Sequence, residues 1–112
     1  MYDEKIALRS YVTTDEKDEY GDYKQITIDR TIWAEELSIG MKEFYQAQAP
    51  GYKPEIKFKI EDYLDYKGEE EVVYKGIVYK ILRTYKSKGN SLEITCYGGV
   101  HDERAKVGDK SN

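Results

Sequence analysis

Cysteine occurs once in this chain, at Cys96, so no internal disulfide can form. Histidine also occurs once, at His101, and no Cys or acidic group accompanies it at the spacing of a metal site. A reducing compartment is compatible with that usage. No apolar run approaches the roughly 20 residues that a membrane-spanning helix needs. The opening residues, Met1 to Lys5, hold no apolar signal core. The protein is therefore expected to be soluble, and intracellular where it is made. A basic excess is missing as well: 22 acidic residues against 18 basic ones leave a net charge of −4. A dedicated nucleic-acid binder needs a basic face that releases counterions, so that class is disfavoured, although DNA passing nearby is not excluded. Convergent catalytic groups are missing too, so no enzyme is expected, and no cofactor or metal site is assigned.

What the chain does have is tyrosine, with 12 Tyr against 2 Phe and 1 Trp among 112 residues. Tyr packs its ring and keeps its hydroxyl wet, which suits half-buried strands and interfaces. The length suits one domain, burying roughly two-thirds of the surface its unfolded chain exposes.

Period-two patterning dominates. Lys5 to Thr14 places Ile6, Leu8, Ser10 and Val12 on one face and Ala7, Arg9, Tyr11 and Thr13 on the other. Asp15 to Asp22 is acidic with a glycine and reads as a solvated turn. Tyr23 to Leu37 is dense in β-branched residues, which favours strand over helix. Arg30 interrupts its apolar face, predicting a bulge or strand end nearby. Glu55 to Glu61 alternates most cleanly, with Ile56, Phe58 and Ile60 facing in. Asp62 to Glu71 reads as a polar loop. Val72 to Tyr74 and Ile77 to Tyr85 flank Lys75-Gly76, a tight hairpin turn. Ser91 to Tyr97 follows a second turn, and Gly98-Gly99 is expected to end it.

The odd segment is Ser38 to Pro54. Met41, Phe44, Tyr45 and Gln48 recur at helical spacing, and Pro50-Gly51 stops the pattern. A helix this short is marginal alone, since isolated helices below about 12–15 residues seldom persist in water. These residues either cap an open end of the β body or meet a neighbouring subunit.

The expected architecture is mainly β: a small antiparallel β-barrel of about six strands, with one long loop containing a short helix and a flexible C-terminal tail. It is one domain over residues 1–100, with 38–54 inserted and 101–112 as a disordered tail. The expected core is Ile26, Ile28, Trp33, Ile56, Phe58, Ile60, Tyr79, Ile81, Leu92 and Ile94.

Other candidates have plainer readings. Cys96 shares an apolar face with Leu92 and Ile94, as a buried structural thiol does. Asp15, Glu16, Asp18 and Glu19 lack the ligand spacing of a calcium loop. Gly98-Gly99 lacks the pattern of a phosphate loop. Lys57, Lys59, Lys75, Lys80, Arg83, Lys86 and Lys88, interleaved with Tyr, suggest either a solvated face with cross-strand charge pairs or an OB-like surface for single-stranded nucleic acid. The first reading is preferred.

The order of pieces carries a resemblance. Asp18-Glu19-Tyr20-Gly21 precedes a strand ending in Trp33-Ala34-Glu35. Then come Gly40-Met41-Lys42-Glu43-Phe44-Tyr45, Ile56-Lys57-Phe58-Lys59-Ile60 and the hairpin Val73-Tyr74-Lys75-Gly76-Ile77-Val78-Tyr79-Lys80-Ile81. From about Asp18 to Tyr97 the chain resembles the head-closure, or head–tail joining (head-completion, stopper), proteins of long-tailed bacteriophages. Lys57 and Lys59 stand where arginine is common in similar proteins. The acidic loop before Gly68 and the tail after Gly99 also look particular to this chain. The resemblance implies a structural phage or prophage protein of the virion connector or neck, made in the host bacterial cytoplasm. It implies a monomer alone that assembles as a homo-oligomeric ring, a dodecamer, below the portal–adaptor proteins. That ring closes the DNA exit channel and offers a surface to tail proteins, and packaged double-stranded DNA passes through it. The implied interface and channel-plug loop comprises Gly40, Met41, Lys42, Glu43, Phe44, Tyr45, Gln46 and Gln48. A neck or tail-terminator (tail-completion) protein is the alternative within the same assembly.

Overall fold

Alternation of apolar and polar residues resolves into six strands in the computed structural model, which describes residues 2–42 and 51–102. They are β1 (Glu4–Lys17), β2 (Tyr23–Leu37), β3 (Pro54–Ile60), β4 (Glu71–Tyr74), β5 (Ile77–Lys86) and β6 (Leu92–His101), with one 3₁₀ turn at Tyr63–Asp65. Every pairing is antiparallel. The sheet closes on itself in the order β1-β2-β3-β6-β5-β4. Closure leaves the inward face dry and removes the edges that an open sheet would present.

The core lies inside that ring. Ile6, Leu8, Phe58, Ile60, Val72, Ile94 and Cys96 are fully buried, and Ile32, Ile56, Tyr66, Tyr79 and Ile81 pack around them. Each large apolar side chain so placed contributes about 1.5–3 kcal/mol. Phe58 meets Tyr74 edge to face at 5.0 Å. The Tyr74 hydroxyl reaches out of the apolar interior to donate to Glu4 Oε1 at 2.7 Å.

Three residues expected in the core are outside it. Ile26 is 49% exposed, Ile28 44% and Trp33 55%. The reason differs between them. Trp33 pairs with Lys5 on the outward face, where the Lys5 ammonium sits 5.2 Å from its ring centroid. Ile26 and Ile28 do share the inward face of β2, but they lie beyond the point where the ring closes. β1 pairs with β4 only over Ala7–Arg9, and β2 with β3 only over Glu35–Leu37. From Ser10 and Ile28 outward, the two strands therefore run on as a two-stranded ribbon.

Arg30 does not mark a bulge. It pairs in register with Leu8, and the register shift in this hairpin falls between Thr13 and Lys17. A cation is tolerated on the inward face because Arg30 stands at the mouth of the ring. There Nε donates to Glu69 Oε2 at 2.7 Å, and a terminal nitrogen reaches the Asp65 carbonyl. The connection between β3 and β4 crosses that mouth and drops Tyr66 onto the core.

Gly98-Gly99 does not end β6, which continues to His101. Between Val78↔Val100 and Lys80↔Tyr97, β6 spends one more residue than β5. Gly98, at φ 65°, takes up the bulge. The Tyr79 ring covers Gly99 so closely that a Cβ there would lie 2.7 Å from its Cε1. The expected tail therefore starts too early at 101: His101 is in the strand and Asp102 is buried. The Lys75-Gly76 hairpin has φ of 51° and 78°, the two left-handed positions of a type I′ turn.

Candidate interaction surfaces

The strand directions give the molecule two ends. At one end lie the β1–β2 turn, the β3–β4 connection and the β5–β6 turn. At the other lie the Lys75-Gly76 turn and both roots of the 38–53 connection.

The connection leaves β2 at Leu37 and returns at Pro54, which is buried and opens β3. Glu36, Leu37, Ser38, Ile39, Pro54, Glu55 and Ile56 line an open groove of about 580 Å³ between the two roots. Tyr52 meets Tyr97 edge to face at 4.9 Å, which ties the returning root to β6. Of the implied loop residues, Gly40, Met41 and Lys42 are described. Met41 and Lys42 are helical, and Met41 is 68% exposed. Glu43, Phe44, Tyr45, Gln46 and Gln48 lie outside the described residues, as does most of the expected helix.

At the opposite end, the ribbon tip is built by Asp18. Its Oδ1 accepts from the backbone N–H groups of Tyr20 (2.9 Å) and Asp22 (3.0 Å), and its own N–H donates to the Asp22 carbonyl at 2.7 Å. This carboxylate thus orders the turn. Tyr20 stands at the tip, 81% exposed.

Sequence reasoning missed the polar cluster around Arg9. Its Nε and one terminal nitrogen donate to both oxygens of Asp29, at 2.8 and 2.9 Å. Its two terminal nitrogens also donate to both oxygens of Asp102, each at 3.1 Å. The Asp29 hydrogen bond, then Asp102, raises the guanidinium pKa further above its ordinary value, against the opposing effect of burial. One buried cation thereby fastens β1, β2 and the chain leaving β6. Period two places Arg9 on the outward face. Nothing in that pattern announces partners 20 and 93 residues away.

Cys96 is buried, and burial pushes its thiol up to about 12, a poor pKa for a nucleophile. Among the described residues, no group of three or more His, Cys, Asp or Glu side chains is placed to hold a metal ion. Of the basic residues, Lys57 pairs with Glu93 across strands at 3.3 Å, and Lys86 lies over the Tyr63 ring at 4.8 Å. No helix among the described residues is long and apolar enough to cross a membrane.

No curated protein matches the chain. A family model described as phage head completion protein matches residues 2–98, which spans β1 to β5 and most of β6. The chain belongs to the phage head completion protein family.

Proposed function

We propose that the protein forms a ring below the portal–adaptor of a phage or prophage particle, closes the DNA-filled capsid and offers the tail its attachment surface. A structural role in head completion follows from family membership, and that match over residues 2–98 is the observation that carries the reading. The two ends of the closed sheet divide the work. The 38–54 connection supplies the plug at one end, with Gly40 to Gln48 reaching the channel. Its returning root is held by the buried Pro54 and by the Tyr52–Tyr97 contact. A net charge of −4 suits a wall past which DNA must move without sticking. The binding partners are then the portal–adaptor proteins, tail proteins and further copies of the chain, and no catalytic step is involved.

The test is co-sedimentation of purified protein with its portal–adaptor complex. Binding across several salt conditions is expected, and no binding under any of them would sink the proposal. A deletion mutant separates head closure from tail completion. Full heads that leak DNA mark the former, and sealed heads that lack tails mark the latter.

A further inference from the structure

The last strand changes character at Gly98. Up to Tyr97, β6 is a central strand, paired with β3 through Pro54↔Tyr97 and with β5 through Lys80↔Tyr97. Beyond it, among the described residues, β5 is the one strand left alongside, through Val78↔Val100 and Ile77↔His101. Side-chain packing falls off as well. Val100 is 62% exposed and His101 is exposed, so neither anchors the segment in the core. Yet the next residue, Asp102, is buried. The stretch 99–102 is thus loosely packed in its middle and held at its far end.

Both of its ends are built for that arrangement. At the near end stand two adjacent glycines, the first at φ 65°, where the backbone has its greatest freedom. At the far end, Asp102 accepts from two Arg9 nitrogens at 3.1 Å each, and its N–H donates to the Gly76 carbonyl at 2.8 Å. The chain therefore passes the β4–β5 turn to reach β1. Arg9 keeps a second carboxylate, Asp29 on β2, at 2.8 and 2.9 Å. The catch is thus assembled on β1 and β2 and does not need Asp102 to hold its shape. Along the outer edge, Glu55 Oε1 accepts the Gly99 N–H at 2.7 Å, which blunts a short edge that has no strand beside it among the described residues. The family match ends at residue 98, so this stretch lies beyond it.

We propose that residues 99–102 form a strap, jointed at Gly98-Gly99 and latched by Asp102 on Arg9, which opens and closes as a unit while the rest of the closed sheet stays folded. Closed, it caps β5 at Ile77 and Val78 and lies over the Tyr79 ring, which approaches Gly99 too closely to admit a Cβ. Open, it bares that short β5 edge and the ring together. Because Val100 and His101 bring little burial of their own, the ion pair at the end sets how often the strap opens.

The experiment is amide hydrogen exchange, read by NMR on the full chain, for wild type and Asp102→Ala. That substitution removes the latch and leaves the Arg9–Asp29 pair in place. Exchange at Val100 and at residue 102 is expected to rise together, by at least about tenfold, while residues 92–97 of β6 and 6–8 of β1 keep their wild-type rates. Equal acceleration throughout the chain would make Asp102 a part of the global fold and overturn the proposal. Acceleration confined to residue 102 would deny that the strap moves as a unit. No acceleration at all would mean that the latch holds nothing. Should Asp102→Ala fail to fold, wild-type protein in sub-denaturing urea decides. Val100 and Asp102 must then exchange through an opening with weaker urea dependence than that of residues 92–97, and one shared, global opening refutes the strap.

Discussion

At the scale of single residues, burial makes polar groups consequential. Arg9 satisfies two carboxylates at once, and Asp102 beneath it is almost inaccessible to solvent. Removing the cation takes the charge partner from a buried carboxylate, which typically costs more than the intact pair contributes. Arg9→Met is expected to lower the unfolding free energy by about 3 kcal/mol, read by urea denaturation. Glu69 gives a pH signature. Burial pushes its carboxyl up, but the Lys67 N–H, Arg30 and its own N–H outweigh that and hold it below the ordinary value of 4.5. The unfolded chain therefore takes up this proton first as pH falls. The stability Glu69 contributes is complete above pH 4.5 and drains away as pH drops through its lower folded value. Wild type should thus lose its advantage over Glu69→Gln in acid, and a gap that stays constant would contradict the assignment. Trp33 illustrates the opposite case. Half exposed under Lys5, its replacement by Ala should cost about 1 kcal/mol rather than the 3–5 of a buried aromatic, a difference a thermal melt resolves.

At the scale of elements, legibility followed length and surroundings. The β3 alternation of Ile56, Phe58 and Ile60 reads directly as a strand with one dry face, and Lys75-Gly76 reads as the hairpin turn between β4 and β5. Ile26 and Ile28 present the same alternation, yet among the described residues no strand lies across from them. Period two reports which side a residue faces, not whether anything covers that side. The available signal was length, since β1 and β2 have 14 and 15 residues against 7 in β3 and 4 in β4. A pair of strands twice as long as its neighbours must overrun the closed sheet. Gly98-Gly99 misled for a related reason: glycines usually punctuate strands, but here one makes a bulge and the other admits an aromatic ring. Gly99→Ala would drive a methyl group to within 2.9 Å of Ile77 Cγ2 as well as into Tyr79. We expect a loss of about 1–3 kcal/mol by overpacking. Adding Tyr79→Ala to the same chain should recover part of it, measured as a double-mutant cycle.

At the scale of the whole molecule, the shape is elongated. The chain spans 47 Å in its longest direction with a radius of gyration of 15.6 Å, against about 13 Å for a compact domain of about 100 residues. The closed sheet forms a hub from which the connecting segments leave at two ends. Such a hub keeps its own core out of the contacts it makes, so assembly and stability separate. The 38–54 connection should obey that separation. Pro54 is buried and Tyr52 packs on Tyr97, so the returning root is held to the hub by residues outside 43–50. Phe44→Ala combined with Tyr45→Ala is therefore expected to leave the melting temperature and circular dichroism of the isolated chain unchanged. Particles assembled with that variant should instead leak DNA. If the isolated chain melted several degrees lower, Phe44 and Tyr45 would belong to the hub's own packing. The closing of the channel would then have to be assigned to other residues of the chain.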